Sequence, residues 1–167
     1  MSRGFVKEDD QEDIPIVPPR AELPNGVTNY VTPAGWDALL SEKQMLTDEK
    51  NQLNISSENE RRIALNHINA KLHLLNNRIA EAKIIDLKEQ PQNEIRFGAR
   101  VTFRIEATKT VQTFQIVGVD EADIAKGKIS FLSPLAKALL NKKKGEKAIL
   151  KTGREERVFD VIEITYG

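Results

Sequence analysis

The chain has 167 residues, enough for one or two small domains with a real core. Its 25 basic and 25 acidic residues cancel, which argues against a dedicated nucleic-acid binder. It has no cysteine, which excludes a disulfide framework, a Cys-based zinc site and a thiol nucleophile, and fits a reducing compartment.

Residues 1–30 read as an extended leader. The stretch KEDDQEDIPIVPPRAELPNG combines an acidic run with four prolines, a composition that does not build a packed core. No apolar run near the start has the character of a secretion signal, and none approaches membrane-spanning length. A cytoplasmic monomer that makes no use of a membrane is the expectation.

At Thr32 the pattern changes. Thr32 fits an N-cap with Pro33 at the first helical position. Trp36, Leu39, Leu46 and Leu53 follow a heptad spacing, Lys43 and Lys50 fill the seam between them, and Leu40 and Met45 broaden the stripe. This predicts a helix to about Gln52. NISSENE, from Asn54, interrupts it with turn and cap formers, and Ser57 with Glu60 reads as a capping box. Leu65, Ile68, Leu72, Leu75, Ile79 and Ala82 then mark the seam of a second helix. Two such helices joined by a short loop predict an antiparallel coiled-coil hairpin over 31–87, with arms of about 30–40 Å. A hairpin of this kind on a globular base is built to reach into something.

Residues 88–94 are a polar linker. Beyond them the period becomes two, and strands are predicted at 100–106, 110–119, 128–132, 147–152 and 156–166. Gly98, Gly127 and Gly153 punctuate them. Within this region Ser133-Pro134 opens one short helix, with Lys142, Lys143 and Lys144 near its end and Gly145 to stop it. The fold class is therefore α+β: a helical hairpin, then residues 95–167 as an antiparallel sheet domain carrying one short helix.

No phosphate-binding glycine loop occurs. His67 and His73 stand six apart, a spacing that fits no metal pair on one helix face. The remaining candidates are carboxylates: Asp48, Glu49, Glu58 and Glu60 near the hairpin tip, and Asp120, Glu121 and Asp123 after a predicted strand. A hard cation such as Mg²⁺ takes oxygen ligands, so acids on an arm could complete a metal site in another enzyme.

Six segments carry a family resemblance: TPAGWDAL from Thr32, AKIIDL from Ala82, FGARVTF from Phe97, QIVGVDEAD from Gln115, ISFLSPLAKALLNKKKGE from Ile129 and VIEITY from Val161. In this order they closely resemble the bacterial Gre transcript cleavage factors, over roughly residues 30–167. The resemblance implies an FK506-binding-protein-like C-terminal domain that docks on RNA polymerase, here through Asp120, Ser133, Pro134 and Leu135. It implies a coiled coil inserted into the polymerase secondary channel, where tip acids, here Glu58 and Glu60, share an Mg²⁺ at the polymerase active site. The outcome would be cleavage of the nascent RNA 3′ end in backtracked complexes, with no intrinsic cofactor and no activity without polymerase. Two departures stand out. Ile55 occupies the place of the family's first tip acid, and Glu60-Arg61-Arg62 replaces its Ala-acid-Tyr. The hairpin is also shorter by roughly one to two heptads. A relative that occupies the channel without promoting cleavage is the alternative. A prolyl isomerase is a third class, suggested by fold analogy alone.

Overall fold

The computed structural model describes residues 15–167. In chain order it comprises β1 (Asn29–Val31), α1 (Pro33–Asn51), α2 (Glu58–Glu81), β2 (Ala82–Ile84), β3 (Arg100–Ile105), β4 (Val111–Val117), β5 (Lys128–Ser130), α3 (Pro134–Leu139), β6 (Lys147–Thr152) and β7 (Glu155–Thr165). Short 3-10 turns lie at Leu87–Glu89 and Ile124–Lys126. The acidic run ahead of Pro15 lies outside the described residues.

The helix starts are set by their caps. The Gly35 amide donates to Thr32 Oγ1 at 2.9 Å, the Glu60 amide to Ser57 Oγ at 3.4 Å, and the Ala136 amide to Ser133 Oγ at 3.2 Å. Each hydroxyl satisfies one orphan donor of a first turn. Between α1 and α2 the predicted seam closes: Leu39, Leu46, Ile68 and Leu75 are buried, with Trp36, Leu53, Leu72 and Ile79 packed against them. Two seam assignments fail. Met45 is 62 % exposed and Leu40 41 % exposed, because the hairpin buries one narrow stripe per helix and these two sit outside it.

The ends of the hairpin also differ from the sequence reading. Ala82 is not helical: it leaves α2 with ψ 134° and starts β2. The leader likewise ends in a strand. Asn29–Val31 runs parallel to Ala82–Ile84, pairing Asn29 with Ala82 and Val31 with Ile84. Parallel strands need a long crossover between them, and here the whole hairpin is that crossover.

The second unit is a five-stranded sheet of order β5-β4-β3-β7-β6. Its pairs are antiparallel except β4 with β5, so the sheet is mixed rather than wholly antiparallel. The reason is the loop between them. Residues 118–127 run back along the sheet, and Gly127, at φ 71°, turns the chain into β5 in the same direction as β4. One face of the sheet is covered by α3. Val101, Phe103, Ile116, Leu139, Phe159 and Val161 form the centre of the core, and Phe103 sits 5.2 Å from Phe159 and 5.9 Å from Phe114, ring centre to ring centre. The α3 helix ends earlier than the sequence suggests. Asn141, at φ 72°, makes the exit rather than Gly145, and Lys142–Lys144 lie beyond the helix. Backbone bonds between Ile95 and residues 141 and 142 hold this lysine run against the linker. Among the described residues no helix is long and apolar enough to cross a membrane.

Leu75 has no exposed surface. Leu75→Ala is expected to cost about 2–5 kcal/mol in urea unfolding. Met45→Ala, at an exposed site on the same hairpin, should stay within about 0.5 kcal/mol.

Candidate functional site

The chain presents two places with chemistry to offer, the hairpin tip and the joint where the hairpin meets the sheet. At the tip, Glu58 and Glu60 occupy the first turn of α2, where the partial positive charge of a helix start favours acids. Both are exposed. They are two residues apart, so they point to different sides of the helix and do not converge on one point. Asp48 accepts from Gln44 Nε2 at 2.8 Å on α1, and Asn59 Oδ1 accepts from Arg62 Nη2 at 2.6 Å. Among the described residues no three His, Asp or Glu side chains gather as a metal cage. The tip can therefore offer single carboxylates to a site completed by another molecule. His67 is half-buried and His73 exposed, on the body of α2.

The predicted docking residues lie at one end of the sheet. Parallel pairing places Val117 opposite Ser130, so Asp120 and Ser133 follow their strands at the same sheet end. Pro134 is exposed, Ser133 and Leu135 are half-buried, and Leu135 packs on the sheet core. The Ser133 hydroxyl is engaged as a cap, so this corner offers a rigid shape more than a free donor.

Asp120 is different, since its side chain is only 9 % exposed. Arg20, in the leader, donates through Nε to Asp120 Oδ1 at 3.0 Å and through Nη1 to Glu42 Oε2 of α1 at 2.6 Å. Burial works against the Arg20 charge, but the Glu42 and Asp120 carboxylates outweigh it and raise its pKa. Arg78 of α2 stands 3.7 Å from Asp120 Oδ2 and donates to the Ala21 carbonyl of the leader. Asn29 Nδ2 donates to the Arg78 carbonyl at 3.0 Å. Among the described residues Asp120 Oδ2 and Arg78 Nη1 are buried and make no hydrogen bond, only the long ion pair.

The neighbouring Glu121 ties α1 to the sheet. Thr32 Oγ1 donates to Glu121 Oε1 at 2.6 Å while accepting from Gly35, and Lys128 Nζ lies 3.3 Å from Glu121 Oε2. Tyr30 contributes a ring that packs against both Phe97 and Phe131, with centres 5.8 and 5.7 Å away, and those two rings stand 5.6 Å from each other. Sequence reasoning missed Arg20 and Arg78 as partners of Asp120, Glu42 as the second partner of Arg20, and Thr32 and Lys128 as partners of Glu121.

The closeness of the joint is measurable at Gly118. A Cβ there would come within 2.4 Å of the Tyr30 carbonyl oxygen, a backbone atom with little room to move. Gly118→Ala is expected to destabilise the chain by about 1–3 kcal/mol. Thermal unfolding followed by the single tryptophan, Trp36 in α1, checks this.

Known proteins resemble this chain over both parts. The family described as "Transcription elongation factor, GreA/GreB, C-term" matches residues 90–166. A transcription elongation factor GreB from Neisseria meningitidis is 32 % identical over 158 residues, covering 83 % of this chain and 94 % of the relative. A transcription elongation factor GreA from Hyphomonas neptunium is 38 % identical over 99 residues, or 59 % of this chain, a match that spans 63 % of that relative's own length. Among solved structures, a GreA/GreB factor from Nitrosomonas europaea matches at 20 % identity and a TM-score of 0.41, over 84 % of this chain and 99 % of the other. The GreA factor homolog 1 of Thermus thermophilus matches at 22 % identity and a TM-score of 0.38, over 83 % of this chain and 99 % of the other.

Proposed function

Since the chain belongs to the GreA/GreB family of transcription elongation factors, we propose that it binds RNA polymerase and enters the secondary channel with its hairpin to stimulate cleavage of backtracked RNA. Residues 95–167 are the anchor in this reading, and residues 31–87 the arm. The chain acts as a cytoplasmic monomer and hydrolyses no RNA without polymerase.

The observation that carries the proposal is the exposed carboxylate of Glu58 at the far end of a capped helix of 24 residues. At 1.5 Å per residue that helix is about 36 Å long. Ser57 fixes where the helix starts and thereby where Glu58 stands. The buried Leu46–Ile68–Leu75 seam keeps the arm stiff while the tip is presented. A single carboxylate is a fitting oxygen donor to an Mg²⁺ shared with polymerase, though too little to hold one alone. An ion bound there supplies Lewis-acid stabilisation of the phosphoryl oxygens during hydrolysis. Glu58 contributes the ligand oxygen and its placement. Glu60, on another side of the helix, takes the same part only if the arm is rotated.

The second reading, a channel-occupying regulator without cleavage, is favoured by Ile55. An apolar side chain stands there in place of a second acid, leaving the tip one ligand short of the family pattern.

Cleavage of stalled, backtracked transcripts by core polymerase separates the two. With wild-type protein, cleavage should accelerate. Glu58→Ala should lose most of the stimulation while its polymerase affinity holds and its stability stays within about 0.5 kcal/mol, as expected of an exposed site. Wild-type protein that saturates polymerase without accelerating cleavage would establish the occupancy reading. Full stimulation by Glu58→Ala would remove Glu58 from its role.

A further inference from the structure

The contact made by the leader has no place in the function above. Residues 15–20 form no helix or strand, Ile16 is 92 % exposed and Val17 is half-buried, so burial of aliphatic side chains is only a partial anchor for the leader. Pro18 and Pro19 lack amide hydrogens and cannot join a ladder. What fastens this stretch is Arg20. Its guanidinium spans Asp120, at the sheet end, and Glu42, on α1, which lie 100 and 22 residues away in sequence. Arg78 adds a bond to the Ala21 carbonyl.

We infer that Pro18–Ala21 is a displaceable strap, and that Asp120 and Glu42 form an acidic clasp that accepts an arginine of a protein partner once Arg20 leaves. Three observations fit an arginine rather than a lysine or a small cation. Two different nitrogens of one planar group are used, Nε and Nη1, directed at carboxylates on two elements. Asp120 is nine-tenths buried, and its second oxygen, Oδ2, makes no hydrogen bond and only a 3.7 Å ion pair to Arg78, so it retains capacity to accept a further hydrogen bond. A cleft of about 450 Å³ lies between the strap's own Pro18–Ala21 and the body of the protein, which lines it with Leu46, Leu74, Val119 and Ala122 as well as Lys71, and this apolar wall is suited to the aliphatic stem of such a side chain. The strap is intramolecular, so it competes at the millimolar effective concentration typical of a short tether. A partner must exceed that, and until it does the clasp stays closed. The strap itself needs no assumption about which partner does so. Naming polymerase as that partner rests on the function proposed above.

The absence of cysteine allows a clean test in the full chain. Spin labels at Ile16→Cys and Ser41→Cys, both exposed, report the distance from leader to α1. A narrow distribution is expected for the otherwise wild-type chain, and a roughly two-fold wider one after Arg20→Ala, with helical circular dichroism unchanged. An unchanged width in Arg20→Ala would show that Arg20 holds nothing and end the proposal. Saturating core RNA polymerase should widen the wild-type distribution. Arg20→Ala should bind polymerase roughly three- to ten-fold more tightly, because the closed fraction no longer reduces its affinity. Adding Asp120→Asn should cancel that gain. A leader that stays docked in the complex, or weaker binding by Arg20→Ala, would make the contact a permanent brace and overturn the proposal. If neither chain binds polymerase, the function above fails and polymerase is struck out as the partner, while the spin-label comparison still decides the strap.

Discussion

The joint between hairpin and sheet depends on the passage of the Tyr30 backbone over Gly118. No side chain fits between them. That contact brings β1 against the end of β4, and the rest of the joint follows from it. Tyr30 can then pack its ring against both Phe97 and Phe131, and Thr32 can cap α1 and reach Glu121 with the same hydroxyl. A hydroxyl that donates to a carboxylate while accepting from an amide uses its hydrogen-bonding capacity in both directions. The direction in which α1 leaves the sheet is therefore fixed by short polar contacts at its first residue.

The two ends of the arm follow opposite physical logic. At the base, charges are buried and matched: Asp120 between two arginines, and Glu121 between Thr32 and Lys128. Removing Asp120 would leave Arg78 buried and unpaired, whereas loss of Arg20 leaves Asp120 still facing Arg78. At the tip, Glu58 and Glu60 are in water and owe nothing to the fold beyond a favourable helix end. Sequence change at these exposed tip positions is thus cheap in stability.

The caps and the seam were legible because both are local. Thr32-Pro33, Ser57 with Glu60, and Ser133-Pro134 each act within one turn, and all three start helices where the sequence places them. The leucine and isoleucine seam is legible because its period is written in spacing alone. The joint was not legible, because its parts are distant in sequence and individually ordinary. Nothing about Arg20, Glu42, Arg78 or Asp120 separately announces that they meet. The strands β1 and β2 were missed for a related reason: each has three residues, too few to show an alternation. The end of α3 was misread because glycine is the usual exit residue, whereas here Asn141 adopts the left-handed conformation. At the tip the position of Glu58 could be read from the sequence, while its divergence from Glu60 follows from helix geometry.

The parallel pairing of β1 with β2 has a consequence for how such an arm can change over evolutionary time. The chain enters the hairpin at Val31 and leaves it at Ala82 through neighbouring strands that are bonded to each other. Both ends are thus closed at the base, independently of anything further out. Whole heptads can be inserted into or deleted from both helices together without altering where either strand lies, since each heptad returns the seam to almost the same face. Arm length becomes a parameter that selection can adjust while the foundation stays constant.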